Sequence, residues 1–303
     1  MTRLRKALFA LLFAALAVPA PAQTPGQAMP SVSPVEPPVL KVHSTGSGAK
    51  RLLRYKAAAG AKDRLDLTLQ MSISMAMEGM DSQSMDAPPI SMSVDLDVVE
   101  QKPGGDLSVR MTFADAKMEG PGLPAGALDS IKGMSAVMAM SDRGIVKSMT
   151  LDPGKAANPL MSQLLSASGF DKLSVPLPEE AMGVGAKWDV TQKVSANGIT
   201  LEQTSSYEIV SMDDTTAVFA VALTQTAGPQ TVAPPGMPPS VQASLVSMDG
   251  TGRGRMSLIE GALTLYGDMS LESKMVMDMT AEGQAMRMST ATDMKMTLAR
   301  GQR

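Results

Sequence analysis

The sequence predicts an all-β protein built from a large curved antiparallel sheet, either a half-barrel or a sandwich, with one short helix near residues 158–168. Long stretches alternate apolar and polar side chains with a period of two, which is the period of a strand with one dry and one wet face. Clusters of Gly, Pro, Asp and Asn separate these stretches and predict turns. Sheets with strands this long curl in order to bury one face.

The clearest alternation runs from Leu65 to Met77, where every odd-numbered position is apolar. Gly79–Pro89 interrupts the pattern and predicts a loop, after which alternation resumes on even positions from Ile90 to Val98. The two stretches therefore predict a long antiparallel hairpin. Shorter strands are predicted at 107–113, 135–140 and 145–151.

Residues 158–168 carry the signals of a helix. Asn158 can cap it, Pro159 suits the first helical position, and Gly169 ends it. Further strands are predicted at 188–194, 200–211, 216–225, 255–258, 262–279 and 286–298, with an exposed proline-rich loop at 228–240. We interpret residues 51–303 as one β domain, with two units of similar outline (51–155 and 186–303) joined by the helix.

The N-terminus has the pattern of a cleavable secretory signal peptide over residues 1–22. Three basic residues precede the apolar run Ala7–Val18, and the small-x-small site Ala20-Pro21-Ala22 follows it. The run is shorter than the roughly 20 apolar residues that a membrane span needs. The chain has no cysteine and hence no lipobox, so we expect a periplasmic or secreted protein that does not span the membrane. Residues 23–50 are rich in Pro and Ser and predict a disordered linker.

Charge and composition exclude several functions. The formal net charge is −3, and it becomes more negative when the basic signal peptide is removed, which argues against a nucleic-acid partner. Zinc sites of His and Cys are excluded, because the chain has no cysteine and one histidine, His43, in the predicted linker. Asp95 and Asp97 share the wet face of a strand and are expected to be solvated. We therefore predict no catalytic residues, no cofactor and no enzymatic activity.

Methionine is the compositional outlier, at 28 of 303 residues. Most methionines fall on the apolar phase of the strands, where they fill a core or form an adaptable surface for an apolar small molecule or lipid. The candidate lining residues of such a surface are Met71, Met75, Met77, Met92, Met275, Met277, Met286 and Met288. Thioethers also select Cu(I), and the alternative interpretation is a copper site formed by Met75, Met77, Met80 and Met85.

Several short motifs carry a family resemblance. They are Leu53-Arg54-Tyr55 before a Met-rich strand, Gly144-Ile145-Val146, Leu151-Asp152-Pro153-Gly154, and Leu177-Pro178 leading to Val184-Gly185-Ala186-Lys187-Trp188. In these motifs, over roughly residues 51–300, the chain resembles an uncharacterised family of exported bacterial β-rich proteins, known only as a domain of unknown function. The resemblance implies one exported β domain and no catalytic residues.

Together these observations predict a non-enzymatic binding or scaffold protein of the periplasm or envelope, which cradles an apolar ligand on a Met-lined β surface. The alternative is a periplasmic Cu(I)-binding protein that uses Met thioethers.

Overall fold

The computed structural model describes residues 37–118, 120, 128–151, 174–196, 198–232, 241–281 and 284–302. Over these ranges the chain is nearly all β, and its one helical element is the 3-10 turn Asp129–Ile131. All thirteen strands belong to a single open antiparallel sheet, which confirms the predicted fold class and favours the half-barrel over the sandwich. The predicted signal peptide and the predicted helix at 158–168 lie outside the described residues.

The sheet consists of two up-and-down meanders joined side by side. Its strand order is β1-β7-β8-β9-β11-β12-β13-β2-β3-β4-β5-β6, and the short β10 pairs with β11. The strands are β1 Val39–Arg51, β2 Lys62–Met77, β3 Gln83–Gln101, β4 Leu107–Met118, β5 Ser135–Met140, β6 Val146–Leu151, β7 Met182–Ala196, β8 Ile199–Met212, β9 Thr216–Ala227, β10 Gln230–Val232, β11 Val241–Ile259, β12 Tyr266–Ala281 and β13 Gln284–Arg300. The pairing of β13 with β2 makes the two meanders one continuous sheet. That the two halves are duplicated units stays a prediction.

β1 lies inside the segment that the composition predicts to be a disordered linker. From residue 39 that prediction is wrong, because Leu40 and Val42 pair with Val190 and Trp188 of β7. β1 is an edge strand, and its backbone groups pair only with β7. Its composition therefore resembles that of a linker, because the strand depends on this neighbour and not on an apolar pattern of its own. Residues 23–36 lie outside the described part of the chain.

Three other boundaries differ from the prediction. β3 begins at Gln83, and Pro88 and Pro89 sit where the β2–β3 register shifts, a position that tolerates the missing N–H of proline. β11 extends over Val241–Ile259, well beyond the predicted strand at 255–258. The pattern did not predict this length, because Gly250, Gly252 and Gly254 interrupt the alternation of apolar and polar side chains. Part of the predicted exposed loop forms β10, whose Val232 is buried.

The sheet curls until its two ends are tied together by backbone hydrogen bonds. The segment after β1 and the segment before β7 both bond to the turn between β5 and β6: Tyr55 N–H donates to the Asp142 carbonyl at 2.7 Å, and Leu177 N–H donates to the Arg143 carbonyl at 2.8 Å. The Trp188 indole donates to the Pro176 carbonyl at 3.1 Å. The strands at the two ends do not pair with each other, so the sheet is a half-barrel whose ends meet through loops.

The concave face carries two separate apolar clusters. The main core surrounds the fully buried Tyr55, Phe113, Trp188 and Phe219, and Trp188 stacks on Tyr207 with ring centroids 5.2 Å apart. The second cluster lies toward the other end of the long strands, and we call it the distal core. Its buried members are Met77, Leu201, Ala227, Val232, Ala243, Leu245, Met277, Met279 and Met288.

Candidate functional site

A half-buried apolar strip separates the two cores on the concave face. Residues directly opposite each other on antiparallel strands lie side by side, so β12, β13 and β2 form rows across the sheet. Three successive rows have side chains that are neither buried nor fully exposed. We call these nine residues the methionine trough: Met269, Met296 and Leu69; Leu271, Met294 and Met71; Ser273, Thr292 and Ile73.

The trough adjoins a core at each end, and Met269 and Met296 of its first row pack against the main core. On one side the next row contains Leu298 and Leu67, which are buried in the main core. On the other side, beyond a row of partly buried residues, Met277 and Met288 are buried in the distal core. The trough is therefore a stretch of the same apolar face that the described structure leaves half open.

Glycines form the β11 wall of the trough. Gly250, Gly252 and Gly254 lie opposite Ser273, Leu271 and Met269 of β12 and contribute no side chain to the concave face. A Cβ atom at Gly252 would lie 2.8 Å from the Ser270 carbonyl oxygen, closer than real Cβ contacts allow. The glycines therefore permit close approach of β11 and β12 and leave the trough open on this side.

The trough has no charge, whereas the opposite face of the same strands is polar. None of its nine side chains is ionisable. On the convex face of β13, Asp293 and Lys295 are exposed and alternate with the trough residues Thr292 and Met294. The alternation thus gives the sheet a wet convex face and an apolar concave face, as the period of two predicts.

The predicted lining residues are spread over three regions. Met71 belongs to the trough, while Met75 and Met275 are partly buried against the distal core. Three more are buried in the distal core. Met286 on β13 lies opposite Met279 on β12, which is buried in the distal core. Met92 is buried in the main core. The three buried in the distal core are Met77, Met277 and Met288. Sequence reasoning missed Leu69, Met269, Leu271, Met294 and Met296, since alternation shows the face but not the register that aligns the rows.

The predicted copper ligands are partly brought together. Met75, Met77 and Met80 all lie in or against the distal core. Met85 lies opposite Ile73 on β3, beside the trough, and is not part of that core. One row of the distal core places Met277, Met288 and Met77 on three neighbouring strands.

His43 lies on β1 and contacts a carboxylate. Its Nε2 is 2.7 Å from Oδ2 of Asp189 on β7, and the Ser206 hydroxyl also hydrogen-bonds to Asp189. These two bonds, from Ser206 first and then from His43, lower the pKa of the Asp189 carboxyl below its usual value. In a serine-hydrolase triad the histidine lies between serine and aspartate, whereas here the aspartate is central. The arrangement does not activate Ser206 as a nucleophile.

A buried carboxylate that sequence reasoning missed lies under the β11–β12 turn. Asp63 accepts hydrogen bonds from the Tyr266 hydroxyl at 2.5 Å and from Leu263 N–H at 3.3 Å, and Arg300 Nε lies 3.3 Å away. Burial, followed by the bond to Asp63, raises the pKa of Tyr266. The network holds the turn residues over the main core and offers no reacting group to solvent. Over the described ranges, no cluster of three or more His, Asp or Glu residues is arranged to hold a metal ion.

No family model matches the chain, and no curated protein matches it. The resemblance to an uncharacterised exported family therefore stays a prediction. Among solved structures, the chain is similar to a loop-deletion mutant of OmpT, an outer membrane protein of Vibrio cholerae. The two are 8% identical with a TM-score of 0.20, and the alignment covers 80% of this chain and 100% of the OmpT chain. In-vitro folded OmpT of Vibrio cholerae is 10% identical with a TM-score of 0.13, and covers the same shares. At these TM-scores neither similarity supports an argument about this protein. No helix among the described residues is long and apolar enough to cross a membrane.

Proposed function

We propose that this chain is a non-enzymatic binding protein of the periplasm or envelope, and that it holds an apolar ligand in the methionine trough. One observation carries the proposal: nine uncharged, mostly apolar side chains stay half open on the concave face, between two cores that are packed. Burial of apolar surface is favourable at roughly 25 cal/mol per Å², so an apolar molecule gains free energy by covering them. Four of the nine are methionines, whose flexible and polarizable side chains adapt to different ligand shapes.

The signal-peptide pattern of residues 1–22 supports export, and the open apolar surface supports binding rather than catalysis. A carrier needs an apolar surface that is accessible and a convex face that stays in water. Both features belong to the alternation of β12, β13 and β2.

The test is binding of the uncharged fluorophore N-phenyl-1-naphthylamine to the purified protein. We expect saturable binding that is weakened about fivefold or more in the double variant Met71→Gln and Met294→Gln, which makes two facing trough residues polar at similar volume. The matched control is Ser72→Gln with Lys295→Gln, which changes the opposite face of the same strands. Absence of saturable binding, or equal loss in both double variants, would contradict the proposal.

A second candidate function is Cu(I) binding in the distal core, favoured by the row Met77, Met288 and Met277 on three neighbouring strands. Cu(I) titration against a chelator measures it. If the site exists, changing all three residues to Leu lowers the affinity at least tenfold, whereas Met111→Leu in the main core leaves it unchanged. Equal affinities would eliminate copper, because Met→Leu largely conserves core volume.

A further inference from the structure

One row of the concave face carries five polar side chains and one glycine on six neighbouring strands of the sheet. We call it the polar belt, and its members lie opposite one another on β7, β8, β9, β11, β12 and β13. They are Gln192, Gln203, Gln225, Gly250, Ser273 and Thr292. The last two also form the edge of the methionine trough. Placing amides on an apolar face costs free energy unless they form hydrogen bonds, and the two buried amides of the belt form one with each other.

The buried end of the belt has a defined orientation. Gln203 and Gln225 are both buried, and the Gln225 amide donates to Gln203 Oε1 at 2.9 Å. With its nitrogen directed toward β8, the Gln225 carbonyl oxygen lies over β11, 3.0 Å from the position that a Cβ on Gly250 would take. The Ser273 Cβ lies 3.4 Å from the same position, on the other side. Glycine at 250 thus leaves a gap between an amide carbonyl and a hydroxyl at the edge of the trough.

We infer that this gap is the hydrogen-bonding subsite for the ligand of the trough, and that the ligand is a long-chain lipid carrying an uncharged hydroxyl group. A ligand hydroxyl both donates, here to Gln225 Oε1, and accepts, here from Ser273 or Thr292. Neither the belt nor the trough contains an ionisable side chain, so a ligand carboxylate would lose its hydration without meeting a cation. The inference rests on the proposed function, which supplies the apolar part of the site.

Four ligands with the same C18 chain test the inference by displacement of N-phenyl-1-naphthylamine: octadecene, methyl oleate, oleyl alcohol and oleate at pH 8. We expect oleyl alcohol to bind about fivefold more tightly than octadecene, as one net hydrogen bond implies, and at least tenfold more tightly than oleate. Methyl oleate, which accepts but does not donate, falls between the alcohol and the alkene.

Variants locate the effect. The double variant Ser273→Ala with Thr292→Val removes the advantage of the alcohol, measured as the ratio of its affinity to that of octadecene in the same variant. Gly250→Ala, which crowds the Gln225 carbonyl, reduces the same advantage. Ser289→Ala, exposed on the convex face of β13, is the matched control and changes neither ligand.

The outcomes separate the two proposals. If none of the four ligands displaces the fluorophore, the proposed function fails. If octadecene binds but the alcohol binds no better, or oleate binds best, the trough stands and the hydroxyl subsite is refuted.

Discussion

Removing the Asp63 carboxylate tests whether a buried charge holds the sheet and the β11–β12 turn together. In Asp63→Ala, the Tyr266 hydroxyl and Leu263 N–H both lose their acceptor. Hydrogen bonds to charged groups contribute about 1.5–3 kcal/mol each, and breaking a buried charged network costs about 3–5 kcal/mol. Arg300 adds little, because its side chain is 56% exposed and solvent screens the pair. We therefore expect the free energy of unfolding to fall by about 3–5 kcal/mol.

The assay is equilibrium urea unfolding, followed by the fluorescence of the one tryptophan, Trp188, which is fully buried in the main core. Asp293→Ala, at an exposed position of β13, is the matched control and should change stability by no more than about 0.5 kcal/mol. Tyr266→Phe removes one of the bonds to the carboxylate and should cost about 1.5–3 kcal/mol. A loss below about 1 kcal/mol for Asp63→Ala, with an unchanged urea dependence, would refute the reasoning.

Three further predictions follow from the main core. Gly144→Ala should destabilise the protein by about 3 kcal/mol or more, because Gly144 has φ of 76° and a Cβ there would lie 2.5 Å from Tyr55 Cε2. The control Gly185→Ala, with φ of 80° and open space around the position of the Cβ, should cost only about 1–2 kcal/mol. Equal losses in urea unfolding would mean that the contact between the two ends of the sheet is not tightly packed. All three tyrosines have raised pKa values, chiefly through burial, and the pKa of Tyr207 rises to about 12. The stability that they contribute is therefore fully present below a pH of about 10 and is lost as the pH rises through the pKa of the folded state. Absorbance at alkaline pH should show tyrosine ionisation only together with unfolding, and ionisation of one tyrosine before unfolding would contradict its burial. Trp188 fluorescence should resist quenching by acrylamide until urea unfolds the protein, and quenching under native conditions would show that the main core is open.

The period-two pattern was sufficient to predict the fold class and most strands. It succeeded where large apolar residues alternate with polar ones, as from Leu65 to Met77. It failed at β11, where the alternating positions 250, 252 and 254 are glycines, and at β1, where linker-like composition hides a strand that depends on β7. Both failures have one cause: the information lies in the neighbouring strand, not in the segment itself.

The candidate site was predicted less completely, because it depends on register. Sequence alternation places Met71, Met77 and Met92 on the dry face, but only cross-strand pairing shows that Met71 is half open and that Met92 is in the main core. The polar belt is harder still, since Gln192, Gln203 and Gln225 come from three strands and each alone resembles an isolated polar residue. Asp63 also became evident only with its distant partner Tyr266.

The pairing of β13 with β2 has a kinetic consequence. Arg300 lies opposite Leu65, so the seam that unites the two meanders joins strands that are far apart in the sequence. Folding rates fall as the sequence separation of contacts grows, because a long loop must close before the contact forms. The hairpins of each meander form from contacts that are local in sequence, whereas the seam and the trough across it require β13 to pair with the distant β2. Formation of the trough is therefore expected to be slow, and deletion of β13 should abolish the trough while leaving β12 and β2 as exposed edges without a partner.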